Sequence, residues 1–222
     1  MVPVMSVKRE LIKGTLILTA AGFAARLLGF FNRVYLANLI SNAELGRYQL
    51  IFPIFMFCMA VSCAGIQVAV SKMVAAYHGA GKKKAIRQTI KSAGIMSLIV
   101  ALLSSGCVIA FSEPISRWIL KDISCRGYLV IMAIAIPFAA VHTCVGGYFY
   151  GIRHTAVPAV TQLLEQVVRV VTIYLLGAMM YQKGKIDASA AVWGLAAGEI
   201  FSCFLTWICY RFSIRSQSGG SG

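Results

Sequence analysis

Long apolar runs, separated by short clusters of charged residues, make up most of this chain. Three runs carry no charge at all, at 48–71, 92–112 and 127–152. Each is long enough to cross a bilayer, because a spanning helix needs about 20 apolar residues. Three other stretches are nearly as apolar but hold charges in their interior. The pattern predicts an all-α polytopic membrane protein, a bundle of six transmembrane helices at about 14–40, 47–76, 92–112, 127–152, 155–181 and 188–210.

The composition excludes an ordinary soluble domain. Hydrophobic residues make up 59% of the 222 residues and charged residues 13%, with a mean hydropathy of +0.79. A typical soluble domain is about one quarter charged. The net charge of +14 would suggest a nucleic-acid partner in a soluble protein, but membrane topology explains the basic segments here. We therefore expect the lipid bilayer as a partner and no nucleic acid.

Lys and Arg are unequally divided between the two sides that six spans create. The richer side holds Lys8, Arg9, Lys13, Lys72, Lys82, Lys83, Lys84, Arg87, Lys91, Arg153, Arg211 and Arg215. The poorer side holds Arg47, Arg117, Lys121, Arg126, Lys183 and Lys185. Basic residues near spans accumulate on the cytoplasmic side. This predicts a multi-pass protein with its N-terminus and C-terminus in the cytoplasm.

The same charges suggest the division of the chain into segments. Residues 1–13 form a basic cytoplasmic N-terminus, and 14–211 form the transmembrane lobe. The basic segment at 72–91 is expected to be a cytoplasmic loop, since it contains no acidic residue. The polar residues at 212–222 are expected to form a flexible tail or linker.

The first span carries a narrow polar stripe. Its members follow one another at alternating steps of four and three, so they share one face of a helix. They are Thr15, Thr19, Gly22, Arg26, Gly29 and Arg33. A charge at the bilayer centre costs at least about 2.5 kcal/mol, so this stripe should face protein or a water-filled cavity.

The fifth span has a second polar face. Gln162, Glu165, Gln166 and Arg169 recur at helical spacing, and Glu165 precedes Arg169 by one turn. One interpretation is a local ion pair that serves structure alone. The other is a functional site, because buried polar groups in membranes often mark transport pathways. The sequence leaves both open.

Polar residues in other spans also have two interpretations. The second span carries a stripe of small and polar residues that includes Gln67, and this stripe either packs closely on the first helix or forms a cavity wall. His142 is either a hydrogen-bonded interior histidine or a protonation switch. If Glu165 and Arg169 pair, Glu199 remains as an unpaired membrane acid and the better candidate for proton or cation coupling. The candidate cavity or coupling residues are thus Gln67, Gln162, Glu165, Arg169 and Glu199.

Two glycine pairs at a spacing of four predict close helix contacts. They are Gly147 with Gly151 in the fourth span and Gly194 with Gly198 in the sixth. Catalytic patterns are missing, since the sequence has no HExxH, no paired membrane aspartates and no serine nucleophile motif. The seven cysteines have no metal-like spacing. We therefore expect that this protein is not an enzyme, and that it has no catalytic residue, no cofactor and no metal.

Several short segments carry a family resemblance when they are taken together and in order. They are RLLGFFNR at 26–33, GRYQLIFP at 46–53, AGI at 64–66 with SK at 71–72, GYFYG at 147–151 and EQVVR at 165–169. The chain resembles the stage V sporulation protein B family. This is the polysaccharide-export and lipid II flippase branch of the multidrug, oligosaccharidyl-lipid and polysaccharide exporter superfamily.

The resemblance implies a function and its partners. It implies export of an undecaprenyl-pyrophosphate-linked glycan, such as a cell-wall precursor, across the bacterial cytoplasmic membrane. Arg26 and Arg33 resemble the substrate-binding cavity arginines of flippases. The chain resembles only the N-terminal lobe, so a C-terminal transporter lobe is an implied partner. Gln67 departs from the proline expected there in many relatives.

Two alternatives stay open. A cation-coupled multidrug exporter of the same superfamily would need membrane carboxylates, which Glu165 and Glu199 would have to supply, because both aspartates lie outside the predicted spans. A membrane subunit that only packs beside another protein is the second alternative.

Overall fold

The structure, a computed structural model, describes residues 4–182 and 187–219. These residues form helices and short connections, without a strand. The second span is divided by a π-helical turn, and a second such turn follows the very short α5. In chain order the elements are α1 Val4–Leu39, α2 Asn42–Met59, a π turn Ala60–Ala64, α3 Gly65–Gly79, α4 Lys83–Ala110, α5 Ser112–Pro114, a π turn Ile115–Ile119, α6 Cys125–Gly151, α7 Ala156–Gln182 and α8 Ser189–Gly219.

Six segments within the described residues are long and apolar enough to cross a membrane. They are Gly14–Leu39, Asn42–Gly79, Lys83–Ala110, Cys125–Gly151, Ala156–Gln182 and Ser189–Arg215. The prediction of an all-α bundle of six transmembrane helices is therefore confirmed.

The basic segment at 72–91 is not the loop expected from its charge. Helix α3 continues to Gly79 and α4 already begins at Lys83, so only a short turn separates them. Gly81 makes this turn with a φ of +68°, a backbone conformation that glycine adopts without steric cost. The Ala, Lys, Arg and Gln residues on either side are good helix formers. The helices therefore extend beyond the apolar runs.

The two ends of the chain are also more helical than expected. Helix α1 begins at Val4, inside the predicted basic N-terminus, and α8 continues to Gly219. Most of the predicted flexible tail at 212–222 is therefore helix, and its last three residues lie outside the described part of the chain. Lys, Arg, Glu, Leu and Ile favour helix in the first of these segments, and no proline interrupts α8.

Helix α6 lies at the centre of the bundle, against α3, α4 and α8. Its contact with α3 depends on two glycines. A Cβ atom at Gly151 would lie 2.7 Å from the Cβ of Val74, and one at Gly147 would lie 2.9 Å from the carbonyl oxygen of Gln67. The first predicted glycine pair therefore allows the backbones of α3 and α6 to approach closely.

A second glycine seam joins α7 and α8. A Cβ atom at Gly194 would lie 2.4 Å from Ile173 and 3.1 Å from the carbonyl oxygen of Arg169, and one at Gly198 would lie 3.2 Å from the carbonyl oxygen of Glu165. Helix α1 packs mainly on α7 and touches α2 only lightly. The seam therefore holds α7 against the core, while α1 stands at the edge of the bundle.

The π turn at Ala60–Ala64 interrupts the second span directly before Gly65. A π turn leaves the regular α-helical hydrogen-bond pattern. The Ser97 hydroxyl of α4 donates to the carbonyl oxygen of Ser62 at 3.1 Å. This bond from a neighbouring helix satisfies a carbonyl within the turn.

A polar network, which we call the clasp, ties together the end of the bundle where α1 meets α2 and α7 meets α8. Arg47 contacts Glu44 and donates from Nε to Asp122 at 2.7 Å. Glu44 also accepts from the Tyr128 hydroxyl at 2.8 Å and from the backbone N–H of Ala188 at 3.0 Å. The hydrogen bond from Arg47 holds the pKa of Asp122 below its usual value. The clasp links four parts of the chain by charge and hydrogen bonds.

Candidate functional site

A cavity of about 810 Å³ lies between α1, α2 and α7. It is formed mainly by α1, whose regular turns place small, polar and charged residues along one side. It is lined by Leu18, Gly22, Ala25, Arg26, Gly29, Phe30, Asn32, Arg33, Leu36, Leu45, Tyr48, Gln49, Phe52, Pro53, Gln162, Gln166 and Arg169. We call this the arginine cavity.

The polar stripe predicted on the first span forms one wall of the arginine cavity. Gly22, Arg26, Gly29 and Arg33 line it, while the two threonines of the stripe do not. Both arginines are exposed. Seven residues of helix separate them, which corresponds to about 10 Å along the axis. They therefore form an extended row of positive charge.

The cavity arginines are not neutralised by any carboxylate in the described part of the chain. Among the described side chains, no carboxylate lies within ion-pair distance of Arg26 or Arg33. Among the described residues, the lining contains three arginines and no acidic residue. A surface of this charge in a membrane-embedded groove attracts anions, and the planar guanidinium group binds phosphate oxygens in pairs.

Helix α7 supplies another wall. Gln162, Gln166 and Arg169 line the cavity, and Tyr48 and Gln49 of α2 add further hydrogen-bonding groups. These side chains offer neutral donors and acceptors beside the positive row. Such groups suit the hydroxyl and amide groups of a polar ligand.

Asn32 is a cavity residue that sequence reasoning missed. Its side chain is buried, and its Oδ1 atom has no hydrogen-bond partner among the described residues. It lies one helical turn from Gly29, and this spacing was the available signal. The charge of the neighbouring Arg33 is the stronger signal in an apolar segment.

Next to the cavity lies a second group of polar side chains, which we call the buried cluster: His142, Glu165, Arg169, Glu199 and Ser202. Arg169 donates to Glu165 at 2.8 Å and to Glu199 at 3.5 Å. His142 Nε2 lies 3.0 Å from the other oxygen of Glu199, and the Ser202 hydroxyl lies 3.3 Å from His142 Nδ1. Arg169 belongs to both the cluster and the cavity lining.

The local ion pair predicted between Glu165 and Arg169 is present, but the expectation for Glu199 is wrong. Glu199 is not an unpaired membrane acid, because it contacts both His142 and Arg169. Its partners come from α6 and α7, and a pattern read along a single helix does not reveal such contacts. Neither Glu165 nor Glu199 lines the cavity directly.

The buried cluster has one feature of a metal site. Ligand atoms of His142, Glu165 and Glu199 lie within 4.8 Å of one another, and this is the one such group in the described residues. However, the Arg169 guanidinium already contacts both carboxylates. It supplies the positive charge that a metal ion would otherwise supply, so we assign no metal site here.

Gln67 lies away from the arginine cavity. Its backbone carbonyl packs near Gly147, and its side-chain nitrogen would lie 3.9 Å from a Cβ atom at Gly146. It therefore belongs to the contact between α3 and α6. Of the two interpretations of its stripe, this position favours close packing, with α6 rather than α1 as the neighbour.

Comparison with known proteins assigns the family. The model of the family described as "Polysaccharide biosynthesis protein" matches residues 11–219. Stage V sporulation protein B of Bacillus subtilis (strain 168) is 28% identical over 206 residues, covering 92% of this chain and 40% of the relative. The lipid II flippase MurJ of the same organism is 25% identical over 182 residues, covering 76% of this chain and 32% of the relative. The chain thus spans less than half the length of these curated relatives.

Solved structures show the same fold. A MATE protein in the bent conformation superposes with a TM-score of 0.86 at 12% identity, covering 100% of this chain and 49% of the other. An outward-facing multidrug resistance MATE family transporter of the MOP superfamily gives 0.69 at 15% identity, covering 90% of this chain and 44% of the other. The resemblance seen in the sequence is confirmed: the chain belongs to the polysaccharide biosynthesis protein family.

Proposed function

We propose that this chain is the N-terminal lobe of a two-lobed exporter that flips a lipid-linked oligosaccharide or cell-wall precursor from the inner to the outer leaflet. The observation that carries the proposal is the arginine cavity, whose described lining residues include three arginines and no carboxylate. A pyrophosphate group bound to a lipid is an anion that needs several cationic donors away from bulk water. The name of the relative MurJ as a lipid II flippase supports the same substrate class.

The row of Arg26 and Arg33 suits movement of a head group better than a single point site. Each arginine offers two donors to a phosphate, and about 10 Å along α1 separates them. The lipid tail remains in the bilayer while the charged head group crosses through the cavity. A second lobe closes the open side, and rocking of the two lobes exposes the site alternately to each leaflet.

The orientation that goes with this function places both termini in the cytoplasm of a bacterial cell. The excess of Lys and Arg on that side supports it. A membrane-impermeant thiol reagent applied to intact cells is expected to label Lys121→Cys above the parent chain and to leave Lys84→Cys unlabelled. Both lysines are exposed. The opposite labelling pattern would reverse the proposed topology.

The multidrug exporter is the alternative that the MATE-like fold keeps open. The cavity argues against it for cationic drugs, because Arg26, Arg33 and Arg169 would repel a cation. An anionic or neutral drug would still fit this charge. A competition experiment separates these ligand classes. It measures whether such drugs displace undecaprenyl pyrophosphate from the cavity.

The decisive test compares matched charge removals. The double variant Arg26→Ala with Arg33→Ala is expected to bind undecaprenyl pyrophosphate in nanodiscs at least tenfold more weakly, because it loses two phosphate-binding groups. The control removes two positive charges outside the cavity, Arg117→Ala with Lys121→Ala. It should bind like the parent chain.

Transport is then measured in vesicles with a labelled lipid-linked glycan, with and without a second lobe. The cavity variant should flip more slowly than the control in whichever form is active. Equal binding and equal flipping by the two variants would show that Arg26 and Arg33 are packing or topological residues. Native rates of flipping by a partner without this chain would instead favour a non-transporting subunit.

A further inference from the structure

The buried cluster joins ionisable groups from three helices. His142 lies on α6, Glu165 and Arg169 lie on α7, and Glu199 lies on α8. Both carboxylates are more than nine-tenths buried, with exposed fractions of 7% for Glu165 and 6% for Glu199. Their charges therefore have to be balanced within the protein.

The charges of the cluster do not balance when His142 is neutral. Two carboxylates carry two negative charges and Arg169 carries one positive charge, so one negative charge remains. An isolated charge is costly in a medium of low dielectric constant. One additional proton makes the cluster neutral. The arrangement therefore favours the binding of one proton.

The surroundings of His142 fit that proton. Nε2 faces Glu199 at 3.0 Å and Nδ1 faces the Ser202 hydroxyl at 3.3 Å. In the protonated ring both nitrogens are donors, and the carboxylate and the hydroxyl oxygen both accept. In the neutral ring the Ser202 hydroxyl donates to Nδ1 instead. Both protonation states are thus hydrogen bonded, and loss of the proton requires only a rotation of one hydroxyl.

The other titratable groups near the cluster do not supply a second positive charge. The thiols of Cys63, on the π turn, and Cys203, on α8, lie within electrostatic range of Glu199. Tyr48 of α2 faces Arg169 from the cavity side. Among the described side chains, the ion-pair partners of Glu165 and Glu199 are only Arg169 and His142.

We propose that His142 and Glu199 form a buried proton-binding site and that Arg169 couples its occupancy to anion binding in the arginine cavity. Arg169 lines the cavity and contacts both carboxylates, with the longer contact to Glu199. When His142 is protonated, its positive charge balances the negative charge of Glu199. Arg169 is then held less strongly by the cluster and is more available to an anion in the cavity.

The coupling acts in both directions. An anion bound at Arg169 adds negative charge beside the cluster and makes protonation of His142 more favourable, so proton and anion bind cooperatively. The proton site does not depend on the proposed flippase function. The coupling rests on that function only in assuming that the cavity binds anions.

Nitrogen-15 NMR of the chain in nanodiscs, labelled at histidine, tests both parts. The chain has three histidines, and the signal lost in His142→Gln belongs to His142. We expect this signal to titrate in one step, and Glu199→Gln to move its midpoint to lower pH. Sulfate, which does not titrate in this range, should raise the midpoint by about 0.7 pH unit or more, equivalent to about fivefold coupling. Arg169→Gln should abolish the effect of sulfate.

Each other result has a distinct meaning. A His142 ring that stays neutral from pH 5 to pH 9 overturns the proton site. A ring that titrates without any response to bound sulfate overturns the coupling alone. If the parent chain does not bind sulfate or undecaprenyl pyrophosphate, the arginine cavity and the coupling are both wrong, while the titration still decides the proton site. If Glu199→Gln impairs folding, the milder change Ser202→Ala replaces it in the test. Ser202→Ala should also shift the midpoint of the His142 titration.

Discussion

The bundle places arginines in two contrasting environments on two walls of one cavity. Arg26 and Arg33 on α1 are exposed to the cavity and have no carboxylate partner among the described side chains. Arg169 on α7 is largely buried and contacts two carboxylates. An unpaired arginine keeps its binding capacity for a ligand, whereas a paired one stabilises the fold. The same residue type therefore has different roles on the two walls.

The glycines of the α1 wall and of the α7–α8 seam also lie in contrasting environments, one open and one closely packed. A Cβ atom at Gly22 or Gly29 on the α1 wall would meet nothing within 4 Å, whereas one at Gly194 on the α7–α8 seam would collide with Ile173. The α1 wall has space that a ligand can fill. The α7–α8 seam is closely packed. Changes on the two sides should therefore separate ligand binding from stability.

The largest expected effect is on the paired arginine. Arg169→Gln removes the arginine that contacts both buried carboxylates and should lower the free energy of unfolding by about 3 kcal/mol, since it leaves their negative charges poorly balanced. Arg26→Gln should change it by no more than about 0.5 kcal/mol, because this side chain is exposed and unpaired. Unfolding in mixed micelles with increasing SDS measures both.

A double-mutant cycle tests whether the first of these effects comes from the pair. Glu165→Gln combined with Arg169→Gln should be more stable than the sum of the two single losses predicts. A coupling energy near zero would mean that Glu165 and Arg169 contribute independently, and the contrast between the two walls would then be lost.

The next effect concerns the glycines. Gly194→Ala should destabilise the protein by about 1–3 kcal/mol through overpacking against Ile173. Gly29→Ala should leave stability unchanged or raise it by up to about 1 kcal/mol, because alanine favours helix and the site is open. The same unfolding assay applies. Equal responses at the two positions would show that the α7–α8 seam adapts as freely as the cavity wall.

A smaller effect, on ligand binding, is expected when a cavity arginine is replaced by lysine, which keeps the positive charge but loses the planar guanidinium group. Arg26→Lys and Arg33→Lys should each weaken binding of undecaprenyl pyrophosphate about tenfold, equivalent to one charge-assisted hydrogen bond. Insertion and expression should not change. Arg117→Lys, outside the cavity, is the matched control. Full binding by the cavity lysine variants would mean that charge alone is recognised.

The smallest effect is expected in the clasp, where an arginine pairs in contact with water. Arg47 lowers the pKa of Asp122. The ionised carboxylate therefore stabilises the folded state at pH values above about 3.9, the ordinary pKa of an aspartate. This contribution is lost as the pH falls through the lowered pKa. The difference in thermal stability between the parent and Asp122→Asn should thus be small at pH 6 and vanish in stronger acid. A difference that does not change with pH would exclude the ion pair as its source.

The sequence predicted best what lies on a single helix. Arg26 and Arg33 share one face of α1 and line the cavity, and Glu165 contacts Arg169 one turn away, as their helical spacing predicts. The two threonines of the first stripe do not line the cavity. The contact of His142 with Glu199 joins residues 57 positions apart on α6 and α8. Which helices are neighbours depends on packing, including the glycine seams, and no local period encodes it. For this reason the spacing along one helix predicts no partner for Glu199.

Helix length was predicted less well than helix position. Hydropathy finds the part of a helix that matches the bilayer, but it does not detect the polar turns that continue beyond it. Lys83 and Arg215 lie at the ends of spans that extend past the apolar runs. Helix propensity at these ends favours continuation. The short turn at Gly81 lies within a segment whose charge alone predicts a longer loop.

The π turn at Ala60–Ala64 sets the angular phase of the residues that follow it. An α-helix rotates about 100° per residue, so one extra residue in a turn rotates the next helix by that angle. This rotation lets α2 present Tyr48 and Gln49 to the cavity while α3 presents Val70 and Val74 to α6. Deleting one residue from the turn would keep a span of nearly the same length and hydropathy but turn the wrong face of α3 towards α6. A hydropathy profile would not register a change that dismantles the lobe.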